Sequence, residues 1–108
     1  MTQKPLQLED GIRVVRRLKE ALAAEGLPVD TVYLYGSVAR NQAHEWSDID
    51  VAVLCPRFRS SRHEENMEVR RIRRGIDVRI EPICLHKDDF ENRLFGLAQE
   101  VKRTGVEV

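Results

Sequence analysis

Cysteine is scarce in this 108-residue chain: Cys55 and Cys84 stand alone, without CxxC spacing. That argues against a disulfide framework and a cysteine-rich metal module. Both lie in apolar, strand-like segments, where reduced, buried thiols are expected. An excess of one charge is also missing, because Lys+Arg and Asp+Glu each number 18. No overall field therefore gathers a polyanion, and the chain carries no strong nucleic-acid signal. Long hydrophobic runs are absent. Val51-Ala52-Val53-Leu54-Cys55 is among the longest, far short of the ~20 apolar residues of a membrane span. Met1-Thr2-Gln3-Lys4-Pro5 has no apolar core of the signal-peptide kind, so a cytoplasmic location is the expectation. There is no internal repeat, low-complexity tract or linker, and residues 1–108 read as one domain. His44, His63 and His86 show no metal-ligand spacing and read as surface residues.

Apolar content of 42% with 33% charged residues fits a globular fold rather than a disordered chain. Local charge is uneven. Arg57, Arg59, Arg62, Arg70, Arg71, Arg73 and Arg74 crowd one stretch, interrupted by Glu64, Glu65 and Glu68. The stretch reads either as a solvated helix face or as a surface for nucleotide phosphates, RNA or an acidic partner.

Periodicity gives the elements. Ile12, Val15, Leu18 and Leu22 recur at helical spacing, predicting an amphipathic helix over 8–25 that Gly26 and Pro28 stop. Residues 29–35 are a β-branched and aromatic run, read as the first strand; a short helix follows over 37–42, with Ser37 as its N-cap. The second strand covers 48–54 and ends at Pro56. A helix over 62–74 is broken by Gly75, and the third strand spans 76–85. Asp88 or Asp89 caps a last helix reaching Arg103, and residues 106–108 add an edge strand. The order implies an α/β (α+β) sandwich, a small mixed β-sheet packed with helices.

Two segments carry chemistry. On a strand, Asp48 and Asp50 point to the same face, because side chains alternate with period two. Aspartate is a poor strand residue, yet this pair opens the apolar run 51–54, so a cation between the carboxylates is expected, and hard oxygens suit Mg²⁺. Ahead of them, Gly36-Ser37 ends the first strand. Gly36 permits a tight turn and close backbone approach, Ser37 offers a hydroxyl, and Arg40 lies one turn on with a fork suited to phosphate. A third carboxylate is sought on the neighbouring strand. Asp77, opening the run from Ile76, is the choice; Glu81, roughly 13 Å further along by strand rise, is the fallback. Trp46 is read as packing beside the site or stacking on a base.

These residues match a family. Tyr35-Gly36-Ser37-Val38-Ala39-Arg40, then Ser47-Asp48-Ile49-Asp50, then a later hydrophobic-Asp-hydrophobic strand, resembles the DNA polymerase β-type nucleotidyltransferase superfamily and its smallest members, the minimal nucleotidyltransferases. The resemblance implies the nucleotidyltransferase fold and a Mg²⁺-dependent enzyme moving an NMP, AMP from ATP foremost, to a hydroxyl acceptor. By matching position, Gly36, Ser37 and Arg40 would hold the NTP; Asp48, Asp50 and Asp77 would be catalytic and would ligate two Mg²⁺. Family members often have glycine after the arginine, where this chain has Asn41. The resemblance also implies a HEPN-type helical protein as partner in a toxin–antitoxin pair, with a partner tyrosine as acceptor, or a second copy of the chain completing the cleft. Alternatives are an antitoxin that neutralises by binding alone and a small-molecule (antibiotic) nucleotidyltransferase.

Overall fold

The computed structural model describes residues 5–108; most of the N-terminal stretch read for a leader lies outside the described residues. Helix α1, Leu8–Ala24, buries Gly11, Val15, Leu18 and Leu22 along one stripe, as its 3.6-residue period requires. Gly26, at φ +78°, turns the chain out of it. Strand β1 is Thr31–Tyr35, and the short helix α2, Gly36–Ala39, follows at once. Strand β2 is Ile49–Leu54 and helix α3 is Arg62–Arg73, whose N-cap Ser61 accepts the Glu64 N–H at 3.2 Å. Strand β3 is Ile80–Leu85 and helix α4 Lys87–Glu91; helix α5 is Gly96–Thr104 and strand β4 Val106–Glu107.

The four strands form one mixed sheet in the order β3-β2-β1-β4. Strands β1 and β2 run antiparallel, as do β1 and β4, whereas β2 and β3, joined through α3, run parallel. Helices α1 and α3 cover one face, where Val15, Leu18, Leu22, Val69 and Ile72 meet Val32, Leu34, Ile49, Val51, Val53 and Ile80. The other face carries Tyr35, Ala52 and Leu85 against Ala98 and Val101 of α5. This is the small mixed sheet packed with helices that the order of elements implies.

Several boundaries differ from expectation. The third strand begins at Ile80, not at residue 76. Residues 74–79 instead form turns in which Ile76 and Asp77 donate to Arg73 O at 2.9 Å and Ile80 donates to Asp77 O at 3.2 Å. Tyr35 rather than Ser37 occupies the N-cap position of α2. The expected last helix is two, interrupted at Asn92, whose backbone is extended; Gln99 Nε2 bonds the freed carbonyls of Phe90 (3.1 Å) and Asn92 (3.0 Å). His86 is buried rather than on the surface, while both cysteines are buried and free. The arginine stretch is largely spent within the molecule: Arg57 pairs with Asp88, Arg59 with Glu68, Arg62 with Asp89, Arg70 with Glu81 and Arg71 with Glu25 and Glu68. Arg73 instead donates to the carbonyls of Val78 (2.6 Å) and Ile80 (3.1 Å). Among the described residues no helix is long and apolar enough to cross a membrane.

Candidate active site

The sheet itself sets the geometry of the acidic cluster. Tyr35 stands opposite Asp50 in the antiparallel register of β1 and β2, and Asp50 stands opposite Glu81 in the parallel register of β2 and β3. Neighbouring strands lie about 4.8 Å apart, so Tyr35, Asp50 and Glu81 form a row across three strands. Alternation puts the row on the α5 face, since Ile49, Val51 and Ile80 turn into the core on the other side. Asp48, exposed, immediately precedes β2, two residues from Asp50.

The carboxylates feel one another. Burial first, then the charges of Asp48, Glu100 and Glu81, push Asp50 up from its ordinary 3.8 to about 6. The same environment holds Tyr35 in its neutral form: burial, then Asp50, Glu100 and Glu81, push its hydroxyl up to about 12. Glu100 on α5 is thus a fourth acidic side chain at this place. Arg70 of α3 reaches Glu81 at 3.2 Å, a half-exposed pair that offsets only part of the repulsion.

Gly36 lies directly against this cluster. Its φ of +76° is the left-handed conformation that glycine adopts without a Cβ penalty, and a Cβ built there collides with Asp50 Oδ2 and stands 3.1 Å from Asp50 Cγ. The close approach this glycine permits is therefore to a carboxylate. Ser37 is half-buried in the first turn of α2, and its hydroxyl makes no hydrogen bond among the described residues. Arg40 follows, exposed and without an ion pair among the described residues. Asn41 has φ +53°, a left-handed conformation that asparagine tolerates, and its Oδ1 also accepts the Leu8 N–H. Trp46 is 79% exposed in the loop leading to Asp48, rather than packed.

Asp77 is not brought to the cluster. It precedes β3 and turns back on its own neighbour, with Oδ1 accepting the Arg79 N–H at 2.9 Å and Oδ2 paired with Arg79 Nη2 at 2.7 Å. Hydrogen bonding from Arg79 holds its carboxyl below the usual range. The acidic residue in register with Asp50 is Glu81.

The donor set suits a hard divalent cation: Asp48, Asp50 and Glu81 offer carboxylate oxygens without a soft ligand, and the repulsion that raises Asp50 is what such an ion relieves. A surface groove of ≈ 820 Å³ along α3 between Arg59 and Arg74 contains none of these groups.

Comparison with known proteins agrees with this chemistry. The family model described as nucleotidyltransferase domain matches residues 15–107. The chain belongs to that family. A candidate nucleotidyltransferase from Sulfolobus solfataricus superposes with a TM-score of 0.63 at 20% identity, covering 92% of this chain and 82% of that one. The mutant toxin–antitoxin complex MntA–HpeT gives a TM-score of 0.62 at 20% identity, over 86% of this chain and 69% of that one. A toxin–antitoxin structure with AMP-PNP gives 0.63 at 20% identity, over 85% and 69%. At this identity the three likenesses establish the nucleotidyltransferase fold. Among curated proteins there is no significant match.

Proposed function

We propose that this nucleotidyltransferase domain, acting as a single unit over 1–108, transfers AMP from ATP to a hydroxyl on a partner protein. Supporting the reading above all is the register that sets Asp50 opposite Glu81, with Asp48 beside them and the Gly36-Ser37 turn against Asp50. Asp48, Asp50 and Glu81 would ligate Mg²⁺, with Glu81 in the place first given to Asp77. Bound Mg²⁺ supplies charge neutralisation at the attacking and leaving oxygens of an in-line displacement. Gly36, Ser37 and Arg40 would hold the triphosphate, the Ser37 hydroxyl and the Arg40 guanidinium meeting phosphate oxygens. The acceptor oxygen bonds to the α-phosphorus, the bond from that phosphorus to the bridging oxygen breaks, and pyrophosphate leaves. The acceptor proton passes to a carboxylate of the cluster as the new bond forms.

A partner protein would present the acceptor hydroxyl to the row. The fold neighbours that are toxin–antitoxin complexes, one of them with AMP-PNP, support a HEPN-type toxin partner carrying a tyrosine. The chain would then work in the cytoplasm as an antitoxin.

The test mixes the purified chain with ATP labelled at the α-phosphate, Mg²⁺ and the product of the adjacent gene. Label on the partner, lost in Asp48→Asn and Asp50→Asn, supports transfer. Neutralisation of the partner without label, unchanged in Asp48→Asn, supports an antitoxin acting by binding alone. ATP consumption that needs only an added aminoglycoside makes the substrate a small molecule.

A further inference from the structure

At the opposite end of β3 lies a second polar cluster that the transfer chemistry does not use. His86 caps α4 and is 4% exposed; its Nε2 stands 2.8 Å from Oε1 of Glu65, a fully buried carboxylate. The other oxygen of Glu65 accepts the backbone N–H groups of Phe58 (2.7 Å) and Arg59 (3.4 Å). Glu65 is therefore an acceptor on every side, which puts the ring proton on Nε2 and leaves a lone pair on Nδ1. That Nδ1 is buried and has no hydrogen-bond partner. The Asp89 N–H points toward the ring from the first turn of α4, but donates to the His86 carbonyl at 3.0 Å. A buried polar atom left unpaired costs roughly 1–3 kcal/mol.

Across from Nδ1, Asp89 Oδ2 lies at 3.6 Å. Both atoms are acceptors; Asp89 Oδ2 already accepts from Arg62 and from the His86 N–H, so the unmet need is that of Nδ1, which a cation between the two would fill. For Zn²⁺, with Zn–N and Zn–O bonds of about 2.1 Å, two ligands at a tetrahedral angle stand about 3.4 Å apart. The observed separation fits that span. Asp88 completes the set, since one ligand atom from each of His86, Asp88 and Asp89 lies within 4.8 Å of the others. A shallow groove of ≈ 500 Å³ opens beside them, lined in part by Arg57, His86 and Asp88.

We propose that His86 Nδ1, Asp88 and Asp89 form a binding site for a borderline first-row divalent ion of the zinc class, with Glu65 orienting the imidazole from behind. The carboxylate–histidine–metal arrangement fixes the tautomer and strengthens the ring as a ligand. Three cationic side chains face the site. Arg62 holds Asp89 through both oxygens at 2.6 and 2.7 Å, and Asp89 Oδ2 also accepts the His86 N–H at 2.7 Å. Arg57 pairs with Asp88 at 2.9 Å, with both side chains well exposed, and Lys87 lies between them in sequence. An exposed pair of this kind is worth at most about 1 kcal/mol, so the ion displaces Arg57 and leaves Arg62 in place. The bound ion would tie α4 to the end of β3 and, through Glu65, to α3 and the loop after β2. Glu81 and His86 are five residues apart, about 16 Å along the strand, so this site is separate from the acidic row.

The test titrates Zn²⁺, and Co²⁺ as its spectroscopic substitute, into the full chain carrying Asp50→Asn, which weakens the other cation site. One tightly bound equivalent is expected, with a rise in Tm and a perturbed His86 imidazole in ¹⁵N NMR. Adding Asp88→Asn, an exposed change that leaves the fold intact, is expected to weaken binding at least about 10-fold, as for the loss of a supporting group around a metal. No binding overturns the proposal, as does binding unchanged by Asp88→Asn, which would place the ion on exposed His44 or His63. NMR placing the proton on Nδ1 of the metal-free protein overturns it independently.

Discussion

Gly36 and Asp50 occupy the same small volume: the carboxylate fills the space in which any other residue at 36 would carry its Cβ. Strand end, turn and acidic cluster are thereby a single packed unit.

Gly36→Ala accordingly combines two faults. The left-handed backbone costs about 1–2 kcal/mol with a Cβ, and the added methyl group pushes the Asp50 side chain aside. We expect a lower Tm together with at least about 10-fold weaker Mn²⁺ binding by calorimetry. Wild-type affinity in the folded variant would show that Asp50 is free to move.

Glu81 and Asp77 are separated by substitution. Glu81→Gln should weaken Mn²⁺ binding and reduce transfer at least about 10²-fold, the range for losing one electrostatic contact to a transition state. Asp77→Asn should leave both within about twofold while lowering stability by roughly 1 kcal/mol, the scale of its hydrogen bonds to Arg79. The reverse result would return the third position to Asp77.

Asp77 shows where the sequence stops being informative. Asp77, Arg79 and Glu81 alternate identically, so a strand begun at 76 and one begun at 80 give the same pattern. What decides is the Asp77–Arg79 pair, which curls the chain back, together with the turn bonds to Arg73. Asp50 is easier to place, because the buried run from Val51 to Val53 fixes its strand and face, with Asp48 just ahead of that strand. Nothing in the sequence places Glu100 among the site's acids: its charge acts on Asp50 because α5 packs on that face of the sheet. His86 escapes a sequence reading because its partner Glu65 is distant in sequence, and nothing read from the sequence foretold the extended Asn92 backbone that separates α4 from α5.

Stability should depend on pH in two opposing ways. Asp50 is raised from 3.8 to about 6 in the folded state, so folded protein holds a proton that unfolded chain has released. Its contribution to the metal-free protein is full below the unfolded value and is lost as pH rises through about 6. Asp77 is lowered, chiefly by Arg79, and its contribution is present above the unfolded value and lost as pH falls through the folded one. Tm against pH, measured without metal, should lose the first component in Asp50→Asn and the second in Asp77→Asn. Glu100→Gln should move the Asp50 midpoint downward in a carboxyl NMR titration.

Trp46, the sole tryptophan, is 79% exposed two residues before Asp48. Its emission should shift to the blue or be quenched when Mg²⁺–nucleotide binds. Unchanged emission during binding registered by calorimetry would put the nucleotide away from this loop.

The interval between Asp50 and Glu81 is maintained by peptide groups, which every amino acid possesses, and not by particular side chains. A lineage can therefore replace most of its residues and keep the same ruler under its acids. Solved structures sharing one position in five with this chain still superpose on it. Insertions within β2 or β3 would be the changes such a lineage tolerates least, since one extra residue turns every later side chain to the opposite face.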